Sequence, residues 1–217
     1  MIISNRLPYE YFITTGKGES DAGSKGLPFE TGSYDAALND AGIEDANMMV
    51  YTSVIPTEAK EITKEKGLAM IEWGQVIESI KAQANGRKGE RITAAVMITS
   101  VHDPNGKYLG GFACEYSGSG DKKDAADSLL TSVRGMIARR GYGTVPEDCE
   151  VGHDCTTSSG YVIHPGKRFV VDTLDVTKKA GSVLAAICFM SFRVKALTET
   201  SAMRGGKGKK SKTKKRR

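Results

Sequence analysis

The run Gly181-Ser-Val-Leu-Ala-Ala-Ile-Cys-Phe-Met-Ser-Phe192 carries no charge and is the longest candidate for an apolar segment in the chain. It falls short of the ~18 residues that a membrane-spanning helix needs. Its Val, Leu, Ala, Ile and Phe content reads instead as a central strand buried on both faces. A chain of 217 residues can supply the neighbours of such a strand within one domain and is short for two.

The other elements follow from local signals. Asp121 to Arg140 is the clearest helix, with Ala126, Leu129, Leu130, Val133, Met136 and Ile137 at three- and four-residue spacing and Gly141 as its stop. Ser33 to Ala41 reads as a short helix capped by Ser33, with Asp35 in its first turn and Gly42 beyond its end. Arg91–Val101 and Tyr108–Tyr116 flank Asp103-Pro-Asn-Gly106 and form a hairpin. Met48–Val54 has the content of a buried strand ended by Pro56. The alternation Val76, Glu78, Ile80 suggests a strand within Met70–Ala82 with one wet face, and Trp73 reads as core. Residues Met1 to Phe29 read as Gly-rich and irregular. Within them, Thr14-Thr-Gly-Lys-Gly-Glu-Ser20 has the glycine content of a phosphate-cradling loop but neither the Walker spacing nor the Rossmann pattern. These elements alone describe a mixed α+β domain.

Charge is unevenly placed. The net charge is +5, yet nine of the 31 Lys and Arg lie from Arg204 onward, where there is no acid; the other 22 face 26 Asp and Glu, so the body carries −4. The tail 204–217 has no apolar residue with which to fold and is expected to be disordered, with phosphate-type contacts to nucleic acid or an acidic surface as its available chemistry. Four cysteines and no cationic, apolar leader argue against a secreted disulfide scaffold, so a cytoplasmic protein without membrane contact is expected. Tyr142 to Arg168 looks inserted. It holds Cys149, His153, Cys155 and His164, but their spacing matches no zinc ribbon or finger, and a solvated loop with incidental thiols and no metal is expected.

The stretch Asn47-Met-Met-Val-Tyr-Thr-Ser-Val-Ile-Pro56 leaves Thr52 and Ser53 between an apolar strand and a turn. Read alone, these are satisfied hydroxyls at a strand end. Together with Gly16-Lys-Gly-Glu-Ser20, Tyr34-Asp-Ala-Ala-Leu-Asn-Asp-Ala-Gly-Ile43, Asn47 and Gly110-Gly-Phe-Ala-Cys-Glu-Tyr116, the segment Thr52-Ser-Val-Ile-Pro56 resembles the pyruvoyl-dependent arginine decarboxylases. The resemblance runs from about Thr15 through Tyr142 and resumes at Lys179 to Phe192.

That resemblance implies a four-layer α-β-β-α sandwich, a single domain over residues 1–203, assembled as trimers or dimers of trimers with sites between subunits. It implies that Ser53 attacks the Thr52 carbonyl and that the resulting ester eliminates to dehydroalanine, which hydrolyses to a covalent pyruvoyl group. The products are chains 1–52 and 53–217, and no pyridoxal phosphate is involved. The pyruvoyl ketone would form a Schiff base with L-arginine, yielding agmatine, a polyamine precursor, and CO2. Glu115 is implied as proton donor, Asn47 in processing through polarisation of the Thr52 carbonyl, Asp35 as reader of the guanidinium, and Leu38 and Ala113 as pocket wall. The insertion 142–168 and the basic tail fall outside the family pattern. Two alternatives stay open: a pyruvoyl-dependent decarboxylase of another amino acid such as histidine, and an unprocessed, non-catalytic relative that binds nucleic acid or a partner through the tail.

Overall fold

The computed structural model describes residues 4–22 and 29–196; the basic tail lies outside them. In chain order the elements are β1 (Ser4–Pro8), β2 (Glu10–Ser20), α1 (Phe29–Ala41), β3 (Asn47–Val50), β4 (Val54–Ile55), β5 (Lys60–Glu61), α2 (Lys64–Leu68), β6 (Val76–Arg87), β7 (Arg91–His102), β8 (Tyr108–Gly118), α3 (Lys122–Arg139), β9 (Cys155–Thr156), β10 (Val162–Asp175), β11 (Ala180–Phe189) and β12 (Phe192–Ala196). Among the described residues this is one domain, mostly sheet. One five-stranded sheet has the order β3-β6-β11-β2-β5, another has β4-β8-β7-β10-β9, and β1 pairs with β12.

The expected central strand is β11, all of it buried, hydrogen-bonded to β2 on one side and β6 on the other. Val183, Ala185, Ile187 and Phe189 join Ile92, Ala94, Val96, Ile98 and Ala113 in a core shared by the two sheets. The alternate residues Leu184, Ala186 and Cys188 meet Ala37 and Ala41 of α1. On the other sheet, Met97, Phe112 and Cys114 meet Leu129, Val133 and Ile137 of α3. The helix keeps the predicted spacing, except that Ala125 and not Ala126 is fully buried. Asp121 caps it, accepting from the Lys123 and Asp124 amides while the Asp124 side chain accepts from the Asp121 amide.

Several expectations are corrected. The segment expected to be Gly-rich and irregular contains β2, an eleven-residue strand. Its glycines serve packing: a Cβ on Gly16 would press into the Ala37 carbonyl oxygen and stand 2.6 Å from the Ala41 amide nitrogen, and one on Gly18 would stand 2.6 Å from the Ser33 carbonyl oxygen. Gly16→Ala is therefore expected to force α1 off β2 and cost about 1–3 kcal/mol, read as a lower urea midpoint; an unchanged midpoint would mean that helix and strand do not press together. Helix α1 begins before Ser33, so Ser33 is interior and its hydroxyl lies 2.8 Å from that of Ser182; Asp35 lies beyond the first turn. Gly42, at φ +79°, ends the helix as expected.

The strand proposed within 70–82 starts only at Val76. Its inferred wet face does not exist, because Ile80 is in the core and Glu78 is buried against Arg6 and Tyr51. Trp73 is 87 % exposed and is not core. The polar stretch expected over 142–168 ends at Tyr161, since Val162–Asp175 is the long strand β10, paired along β7 with a register shift between His164 and Arg168. Cys149 and Cys155 form a disulfide, so the two thiolates that a zinc site there would use are joined to each other. His164 instead pairs with Asp154 at 2.8 Å. No helix among the described residues is long and apolar enough to cross a membrane.

Candidate active site

The stretch from Asn47 to Pro56 is not one strand. β3 is the edge of one sheet, running parallel to β6, whereas β4 is the edge of the other, antiparallel to β8. Tyr51-Thr52-Ser53 is the crossover between them.

Both ends of this crossover are fixed. On the upstream side the Tyr51 amide donates to the Ser79 carbonyl at 2.6 Å, its hydroxyl meets the Glu78 carboxylate, and its ring lies 5.9 Å from that of Phe189. Glu78 is itself held by Arg6, the two partners covering a carboxylate that would be costly to bury alone. On the downstream side the Ala113 amide donates to the Ser53 carbonyl at 2.8 Å, and Val54 pairs with Phe112. Gly110, at φ +109°, allows this: a Cβ there would stand 2.7 Å from the Ile55 carbonyl oxygen. Thr52 is exposed and Ser53 half-buried between the two anchors. Sequence reasoning missed Tyr51 and Glu78, since a carboxylate in an alternating strand carries no local mark of its partners.

Ser53 lines a cleft of about 360 Å³ together with Cys114, Glu115 and, from α3, Thr131, Ser132 and Arg139. Glu115 is exposed, yet its carboxyl is raised above the ordinary glutamate value, chiefly by desolvation, with a hydrogen bond to its own backbone opposing more weakly. The two observations agree for a carboxyl in an open cleft, which loses part of its hydration while staying within reach of a ligand. Burial, and secondarily the Glu115 charge, push the Cys114 thiol up to about 12, so it is neither thiolate nor nucleophile near neutral pH.

The remaining candidate residues lie apart from this cleft within one chain. Asp35 is exposed on α1, and Leu38 is half-buried among residues of the α1 core. Asn47 opens β3, its side-chain amide donating to the Gly74 carbonyl at 3.0 Å and its backbone amide to the Gln75 carbonyl at 2.8 Å. The Ala113 side chain points into the core between the sheets, so Ala113 reaches Ser53 through its amide alone.

The family model for pyruvoyl-dependent arginine decarboxylase matches residues 10–194. The chain is 39 % identical over 197 residues to the pyruvoyl-dependent arginine decarboxylase AaxB of Chlamydia abortus, covering 88 % of this chain and 95 % of that protein. It is 36 % identical, with the same coverage, to AaxB of Chlamydia pneumoniae. It is 26 % identical over 145 residues to the pyruvoyl-dependent arginine decarboxylase of Thermoplasma volcanium, covering 67 % and 75 %.

Proposed function

This chain belongs to the pyruvoyl-dependent arginine decarboxylase family, and we propose that it cuts itself between Thr52 and Ser53 and then converts L-arginine to agmatine and CO2. The observation that carries this reading is the crossover: the one Ser that the family chemistry needs stands between two fixed sheet edges, in a cleft shared with a carboxyl of raised pKa.

A serine that attacks its own upstream carbonyl needs restraint more than a base, because holding the two groups together replaces a bimolecular encounter. Tyr51 and the Ala113 amide supply that restraint, while exposed Thr52 leaves the linkage free to turn. The Ser53 hydroxyl takes the Thr52 acyl group from nitrogen to oxygen. β-Elimination then releases the Thr52 carboxylate and leaves dehydroalanine at position 53, whose imine tautomer takes up water and releases ammonia to leave a ketone, which supplies the electron sink for decarboxylation. Asn47 polarises the Thr52 carbonyl in this reading, which requires its amide to leave the Gly74 carbonyl. Glu115 returns a proton to the substrate α-carbon after CO2 has left, and partial desolvation suits that task by keeping it protonated at higher pH than an ordinary carboxyl.

Asp35 reads the substrate guanidinium and Leu38 packs its aliphatic part. Both lie on α1, away from Ser53 of the same chain, which supports sites built between subunits of a homotrimer or dimer of trimers. The surface beside the crossover fits such an assembly: Met49, Val50, Val54, Trp73 and Val76 are all exposed large apolar residues. The four-layer α-β-β-α arrangement is supported by the three cores: one between the sheets, one under α1 and one under α3.

A guanidinium paired bidentately with a carboxylate gains a charge-assisted contact that an amide cannot reproduce. Asp35→Asn is therefore expected to raise the KM for arginine by about tenfold or more and to leave chain cleavage intact. Normal arginine affinity in that variant, measured by CO2 release, would remove Asp35 from this role.

A further inference from the structure

A second cleft lies away from Ser53 and Glu115, between the two sheets at the end closed by β5 and β10. Its volume is about 580 Å³, within the range of small-molecule sites. Tyr11 from β2 and Ser100 from β7 are 8 % and 6 % exposed, and they line it with Ile55, Ile98 and Tyr108. Lys167 and Arg168 contribute charge from the exposed stretch where β10 shifts register against β7. Arg168 donates to Glu61 across the gap between the sheets, its Nε at 2.8 and 2.7 Å from the two carboxylate oxygens.

Among the described residues, the hydroxyls of Tyr11, Ser100 and Tyr108 and the Lys167 ammonium have no protein hydrogen-bond partner, and none of them is a fully buried atom left unsatisfied, as the Thr99 hydroxyl and the Arg134 Nε are. They open onto the cleft, and a concave site with apolar walls and a few convergent polar groups is the usual form of a small-molecule site. Glu61 neutralises Arg168, which leaves Lys167 as the uncompensated charge of the lining. Burial pushes the Tyr11 hydroxyl up to about 12 and raises that of Tyr108 as well, so both remain donors near neutral pH. Donors and a cation therefore share the cleft with the aliphatic Ile55, Ala59 and Ile98, the His102 ring and the Glu61–Arg168 pair.

We propose that this inter-sheet cleft binds a small aliphatic carboxylate, its anionic end held by Lys167 and the Tyr11 and Ser100 hydroxyls and its carbon chain against Ile55 and Ile98. Nothing in the proposed decarboxylation uses these groups, so the site is separate from the one that Ser53 and Glu115 form. Ile55 lies two residues from Ser53, which places an occupant beside the strand that fixes the crossover.

The test is thermal unfolding of the full chain in butyrate, against sodium chloride at equal ionic strength and against butylammonium. Butyrate is expected to raise the midpoint saturably, beyond chloride, and butylammonium to give no such rise. Lys167→Ala and Tyr11→Phe are each expected to weaken the apparent affinity by about tenfold, the loss of one charge-assisted or buried hydrogen bond. A midpoint that follows ionic strength alone, an equal response to butylammonium, or an undiminished response in Lys167→Ala would overturn the proposal. Lys167 is exposed, so its variant keeps the fold and decides the matter even if Tyr11→Phe is less stable. Chain cleavage, read from the same samples on a denaturing gel, is expected to be unchanged in both variants, which separates failure of this site from failure of the self-processing reading.

Discussion

Ser53→Ala is expected to yield one uncut chain of 217 residues with no decarboxylase activity, a loss of at least about 10⁶-fold set by the uncatalysed reaction. Alanine keeps the backbone, the Ala113 amide contact with the residue 53 carbonyl, and the pairing of Val54 with Phe112. It removes only the hydroxyl that would take up the Thr52 acyl group, so no ketone can form at position 53. A denaturing gel shows one band against two, and circular dichroism shows that the uncut variant is folded. Two bands from the variant, or CO2 release by the single chain, would place the cleavage or the electron sink elsewhere.

The second large effect belongs to Glu115. Glu115→Gln is expected to process normally and then to turn over about 10²–10⁴-fold more slowly, the usual worth of a positioned acid. Its pH profile carries a sign that tests the role directly. An acid that must donate is active below its pKa, so the rate falls as pH rises through that value. Desolvation raises the Glu115 carboxyl, so this limb lies higher in pH than an ordinary glutamate would place it. In the glutamine variant the residual rate should lose the limb. An unchanged rate would exclude Glu115 as the donor, and failed cleavage would assign it to processing instead.

What could be read beforehand depended on how local the cause was. The β7–β8 hairpin was legible because its turn is self-contained: the Asp103 side chain accepts from the amides of Asn105 and Lys107, and Gly106 takes φ +81°. Helix α3 was legible from its spacing. Strand β2 was not, because Gly16 and Gly18 weaken its intrinsic preference and make sense only once α1 lies across them. Strand β10 was hidden by the Pro165-Gly166 irregularity near its start. Ser53, Glu115, Asp35 and Asn47 stood out through a family pattern rather than through local physics. Tyr51 and Glu78 did not stand out at all, since a contact between residues 27 apart leaves no mark on either neighbourhood.

The crossover at Thr52-Ser53 also decides what a cut would do to the molecule as a whole. A chain ending at residue 52 would take β1, β2, α1 and β3 with it, and β2 is an interior strand, flanked by β11 and β5. The small product would therefore stay threaded through the large one by strand complementation, and could leave only if a sheet were dismantled. Unfolding would then become dissociation, and recovery a second-order encounter that slows with dilution, where the uncut chain refolds alone. A precursor with this topology must finish folding before it cuts, because afterwards each piece lacks strands that only the other can give back.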